Sequence, residues 1–215
     1  DGRRLSAVTT PCPVQEARAE AQRRSPLLAQ LTLPEAVKPQ GEADPERRYL
    51  LPFLENSCHG FDLARFVLGP LHVERVDRRV DSDDRLVSLG AVLSSDRGDL
   101  VQLVANWDAP ANFGLSLNGA DWRFDLCPFE LATIYRGMDV FDPTDEVPIR
   151  RYVPRVAGRI PVDEIDTKEK PGFVRQAEAL KDMMAGKDPP EFAASLPDAV
   201  AALRLCEELL GPYVP

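Results

Sequence analysis

Residues 113–127 read FGLSLNGADWRFDLC, and this stretch constrains the fold more than any other part of the chain. Phe113, Leu115 and Leu117 alternate with polar or small residues, and Trp122, Phe124 and Leu126 then do the same. Successive side chains on a strand point to opposite faces, so each segment is a strand with one apolar face. Asn118-Gly119 lies between them, and Asn-Gly flanked by alternating apolar residues is the strongest short-range hairpin signal. Strands with one apolar and one polar face fit an antiparallel sheet covered on one side only. LVSLGAVL (86–93) and DLVQLVANW (99–107), joined by the turn-like SSDRG, form a second strand pair.

Helical segments supply the cover. Residues 14–25 have helical composition, limited by Pro26, and residues 34–48, rich in proline and charge, read as a loop. A helix follows within LENSCHGFDLARFVLG (54–69). Asn56 or Ser57 is placed to cap it, Phe61, Ala64 and Leu68 recur at helical spacing, and Gly69-Pro70 stops it. Near the C-terminus, Phe173, Ala177, Leu180 and Met184 form one helical stripe ended by Gly186. In the last helix Ser195 and Asp198 resemble a capping box, and Val200, Leu203, Cys206 and Leu210 are expected to face inward. Met183-Met184 and Cys206 read as packing residues. LSAVTT (5–10) is a strand candidate, and residues 139–172 read as a long connection with a strand candidate at 149–153. Strands clustered between helices, without alternation, indicate α+β: one domain over 1–215, an open, mainly antiparallel sheet with helices on one face.

Charge and cysteine usage limit the function. A net charge of −9 argues against nucleic acid or an anionic membrane as the main partner. The four cysteines make no CxxC, so neither a structural zinc site nor a disulfide framework is expected, and a reduced, cytoplasmic protein is the simplest reading. No apolar run approaches the length of a membrane helix. Asp1 is not a translation start, so the chain is expected to be part of a longer polypeptide. GxGxxG, GxxxxGK[ST], GxSxG and HExxH do not occur. What remains is one of the two histidines, His59, with Glu55 four residues before it and Asp62 three after. On a helix these spacings share a face. A carboxylate favours imidazolium and a helix N-terminus disfavours it, a balance suited to proton transfer. The same residues also suit ordinary capping and solvation of a helix start.

The run Glu55-Asn56-Ser57-Cys58-His59-Gly60-Phe61-Asp62, continuing to Leu68-Gly69, resembles the signature helix of the glucose–fructose oxidoreductase/inositol dehydrogenase/rhizopine-catabolism (Gfo/Idh/MocA) family. NWDAPANFGLSLNGADWRFDL is similar to its central hairpin, PFELATIY and Arg151-Tyr152-Val153-Pro154 to later elements, and residues 171–211 to its closing helices. The resemblance covers most of residues 1–211 and implies the family's C-terminal substrate-binding and oligomerisation domain, with the Rossmann domain absent from this chain. It implies NAD or NADP as cofactor, bound by that other domain, and a small-molecule substrate: a sugar, cyclitol or related polyol. His59 would be the acid/base, with Asp62 and Glu55 orienting it or binding substrate hydroxyls, and a homo-oligomer would form through the sheet. The family's Glu-Lys-Pro lysine lies elsewhere, so Glu169-Lys170-Pro171, just before the penultimate helix, reads as coincidence. The chain alone is expected to be inactive. The alternative is a non-catalytic binding or assembly module of the same fold.

Overall fold

The computed structural model describes residues 13–24, 26–35, 51, 53–83, 86–162, 164–190 and 193–211. The strand candidate at 5–10 and Cys12 lie outside them. Eight strands form one sheet: β1 (Leu28–Glu35), β2 (Leu71–Val80), β3 (Leu86–Ser95), β4 (Leu100–Trp107), β5 (Gly114–Asn118), β6 (Trp122–Leu126), β7 (Ala132–Phe141) and β8 (Arg151–Ile160). Their spatial order is β2-β3-β4-β1-β5-β6-β7-β8. All neighbours are antiparallel except β1 and β4, which run parallel. The helices are α1 (Pro13–Arg24), α2 (Cys58–Leu68), α3 (Glu164–Lys168), α4 (Phe173–Met184) and α5 (Leu196–Leu210), and a π-helical turn, Phe53–Ser57, leads into α2.

The period-2 segments bury the side chains their pattern assigns. Leu115, Leu117, Trp122, Phe124 and Leu126 are all buried in the core. The tip of the hairpin differs from expectation. Gly119 donates its N–H to the Trp122 carbonyl at 2.8 Å and has no left-handed φ, so the turn itself is Ala120-Asp121, one step beyond Asn-Gly.

Three expectations fail for physical reasons. β1 covers residues 28–33, for which no element was expected, and runs into Pro34-Glu35, the expected loop start. Ala29, Leu31 and Leu33 fill the core, but Pro34 and Glu35 at its end mimic loop chemistry. Within 139–172, residues 139–141 end β7 and 151–160 form β8, a longer strand than the candidate at 149–153. Pro154 sits on the edge strand β8, where a missing N–H is tolerated, and Gly137 in β7, with φ +63, marks an irregularity in the pairing. Finally, α4 buries none of its residues, so Met184 is 81% exposed and the Met pair is not core packing. In α5, Ala202, Leu205, Cys206, Leu209 and Leu210 face inward, whereas Val200 and Leu203 are exposed. The capping box of Ser195 and Asp198 is present as expected.

α1, α2 and α5 pack over one face of the sheet. Phe53 stacks on Trp107 at 5.8 Å and meets Phe61 edge-on at 5.7 Å, tying the π turn to β4 and α2. At the opposite end of β4 from Trp107, the buried Asp99 accepts from Leu27 N–H (2.8 Å), Ser95 Oγ (2.8 Å) and Arg97 Nη2 (2.7 Å), which clips the β3–β4 turn to the start of β1. Burial alone would raise this carboxyl. The three sets of donors outweigh it and hold the group below its ordinary value.

Candidate active site

α2 lies close on β1 because position 60 has no side chain. A Cβ on Gly60 would come within 2.5 Å of Leu33 Cδ2, so glycine here sets the depth of the helix. The entry to the helix is not capped as its sequence suggests. Ser57 has helical backbone angles and makes no side-chain cap bond. Its Oγ instead donates to Glu35 Oε1, and Asn56 Nδ2 donates to Glu35 Oε2 at 3.2 Å. Glu35 is 2% exposed at the end of β1.

The π turn separates the three residues whose spacing implied a common face. Glu55 belongs to that turn, whereas His59 and Asp62 belong to α2. His59 and Asp62 both line a groove of about 660 Å³ that runs between α1, α2 and the start of α5. Arg18, Arg65, Arg97 and Asp198 also line it; Glu55 does not. His59 is exposed at the groove wall and Asp62 is half-buried. Burial raises the Asp62 carboxyl, and the charge of Asp198 adds to this, against the opposing pull of Arg65 and His59. Arg18 packs over the Phe66 ring at 4.5 Å.

Sequence reasoning missed Glu35, Arg18 and the second role of Asp198. Glu35 stands among loop-like residues, and nothing in its neighbourhood signals burial. Asp198 was legible as a capping residue, but its placement beside Asp62 depends on how α5 crosses α2. Cys58, next to His59, has its thiol raised by burial, with Asp62 and Glu35 adding to it, which makes it a poor nucleophile. The other histidine, His72, pairs with Asp96 at 2.7 Å on the surface of β2–β3.

No protein-family model matches the chain, and no curated protein matches it either. Solved structures do. A dehydrogenase from Clostridium difficile superposes with a TM-score of 0.63 at 10% identity over 94% of this chain and 59% of its own. The UDP-N-acetylglucosamine 3-dehydrogenase of Acidithiobacillus ferrooxidans gives 0.57 at 15% identity, covering 93% of this chain and 56% of its own. A 3-ketoreductase from Actinomadura kijaniata, solved with NADP and TDP-benzene, gives 0.55 at 16%, covering 91% and 57%. The fold is that of the C-terminal domain of Gfo/Idh/MocA-type oxidoreductases, and the chain spans under two thirds of the length of these structures.

The nicotinamide cofactor that the resemblance implies does not fit the described residues. A dinucleotide pyrophosphate needs a glycine-rich turn between a parallel strand and a helix N-terminus. Here α2 is entered through FLENS, a π turn without glycine, and Gly60 is filled against Leu33. Among the described residues no helix is long and apolar enough to cross a membrane.

Proposed function

We propose that this chain is the substrate domain of an NAD(P)-dependent oxidoreductase acting on a sugar, cyclitol or related polyol. The observation that carries the reading is that His59 and Asp62 line the wall of one groove, on this fold. The UDP-N-acetylglucosamine named for one structural neighbour supports the substrate class, and the NADP bound to a 3-ketoreductase neighbour supports the cofactor. His59 accepts the proton of the reacting hydroxyl when a carbinol becomes a carbonyl and returns it in the reverse direction. Asp62 holds the imidazole in orientation, and the role of Glu55, which does not line the groove, is to bind substrate hydroxyls. The hydride partner must be held by residues other than those described. The test is turnover of a panel of sugars and cyclitols by the full-length protein with NAD and NADP, followed through nicotinamide fluorescence. Failure of the whole panel with both cofactors would favour a binding module of the same fold.

Asp62→Asn separates function from stability. Because the folded carboxyl is raised, the native state binds the proton more tightly than the unfolded state, and stability falls as pH rises from about 3.9 through the folded value. At neutral pH the ionised group is therefore a net cost. The variant should melt no lower than the parent at pH 7, lose that advantage in acid, and turn over more slowly, though less severely than a variant of His59. A melting curve at two pH values beside steady-state kinetics checks each part.

The same reading includes self-association through the open sheet face. Leu28, Leu100 and Val104 are 39%, 42% and 47% exposed there, on the adjacent strands β1 and β4. Apolar side chains grouped on an otherwise polar face mark interfaces more often than free surface. Sedimentation should give a dimer or larger, and Val104→Glu should shift it toward monomer without lowering Tm. A parent protein that stays monomeric across a wide concentration range rejects the interface.

A further inference from the structure

We infer that Glu35 is a positioning residue for the candidate site, acting through the π turn that delivers His59 and Asp62 into the groove. The inference rests on the assignment of proton transfer to His59. The two carboxylate oxygens of Glu35 take up the donors of Ser57 and Asn56, the two residues that immediately precede α2. Ser57 is fully buried, so its hydroxyl has no water to turn to. Burying a carboxylate costs several kcal/mol unless donors compensate it, and an apolar residue would fill the end of a core strand at lower cost. A buried carboxylate at this point is therefore better explained by what it orders than by stability.

What it orders is the phase of the helix. A π turn carries more than the usual residues per turn, so it rotates everything downstream relative to the strand it leaves. Without a constraint, FLENS would relax toward regular α-helix, with Ser57 and Asn56 free to cap. Both side chains are instead pulled back onto β1, and Phe53 is fixed between Trp107 and Phe61. Glu35 itself is held at the strand end, where its carbonyl accepts from Asp108 N–H at 2.6 Å. Asp108 has a left-handed φ of +59, uncommon for a residue other than glycine. Strand end, π turn and helix start thus form one connected unit with Glu35 at its centre. The hydrogen bonds, and not the charge, are the working part.

The test uses the full-length protein with histidine rings isotopically labelled, and the His59 signal assigned by its loss in His59→Asn. In Glu35→Met, which removes both acceptors at nearly constant volume, the His59 ring signal should move while that of His72, paired with Asp96, stays in place. Turnover should fall with KM little changed. In Glu35→Gln the amide oxygen still accepts from Ser57, and a flipped Asn56 can accept from the amide nitrogen, so signal and turnover should return toward the parent. Should Glu35→Met fail to fold, Ser57→Ala removes one arm and should move the His59 signal in the same direction by less. A folded Glu35→Met or Ser57→Ala protein with an unmoved His59 signal overturns the inference. If the signal moves while His59→Asn keeps full turnover, the positioning stands and the acid–base reading fails, so the two are separable.

Discussion

A His59→Asn enzyme should keep its fold and its cofactor affinity and lose turnover by roughly 10²–10⁴-fold, the range for removing a positioned proton carrier. The structural half of this expectation is specific. His59 is exposed and lies one residue inside α2, so its side chain fills no core space. The packing that holds the helix start belongs to its neighbours: Gly60 against Leu33, Phe61 against Phe53, Ser57 against Glu35. Asparagine is acceptable near a helix start, so Tm should change little. The chemical half follows from the groove, where Asp62 stands one turn further along the same helix. Steady-state kinetics with a melting curve reads both halves. A variant that retains its turnover number would reduce the first turn of α2 to a solvated helix start.

Asp99→Ala should have a different profile, a large loss of stability with His59 and Asp62 left in place in whatever remains folded. Asp99 is 1% exposed and accepts from the backbone N–H of Leu27, from Ser95 Oγ and from Arg97. Alanine leaves a buried N–H and a guanidinium without their acceptor. At about 1–3 kcal/mol for each buried donor left unpaired, the loss is about 3 kcal/mol. In a chain of this size that corresponds to roughly 6–12 °C in Tm. Asparagine keeps one acceptor oxygen and should cost less. The pH dependence has a definite sign. The folded carboxyl lies below its ordinary value, so its stabilisation is complete above about pH 4 and is lost as pH falls through the folded value. Calorimetric melts of the parent and Asp99→Asn should therefore converge in strong acid. Parallel curves across the acid range would show that the clip does not depend on the charge of Asp99.

The legible parts of the fold were those whose information is local. The alternation in 113–118 and 122–127 survives because both strands are covered on one face only. The capping box of α5 is likewise contained within four residues. β1 was illegible since Pro34 and Glu35 obey rules set by distant partners: Pro34 pairs with Asn106, and Glu35 is buried under Ser57. The same distance effect reversed the reading of the α2 cap. Ser57 and Asn56 are good capping residues by type, and a carboxylate more than twenty positions away claims both. Spacing places His59 and Asp62 on the face that lines the groove, but it could not show that a π turn sets Glu55 apart from them. The stripe on α4 was read correctly as a stripe; only its burial was wrong, because sequence does not say whether a partner is present.

The position of β1 bears on how the sheet is assembled. On either side of it the ladder is a meander of successive hairpins, β2-β3-β4 and β5 to β8, each closed by a short connection. Such pairings are local and close early in folding. β1 instead pairs with strands that follow it by 72 residues or more, and those contacts bear the entropy of closing a long loop. During synthesis β1 leaves the ribosome before either flanking meander exists. Its Leu31 and Leu33 are fully buried in the finished sheet, between strands that both come later in the chain. Within this sheet β1 thus precedes both of its partners in the chain, and the joining of the two meanders waits on residues 100–118.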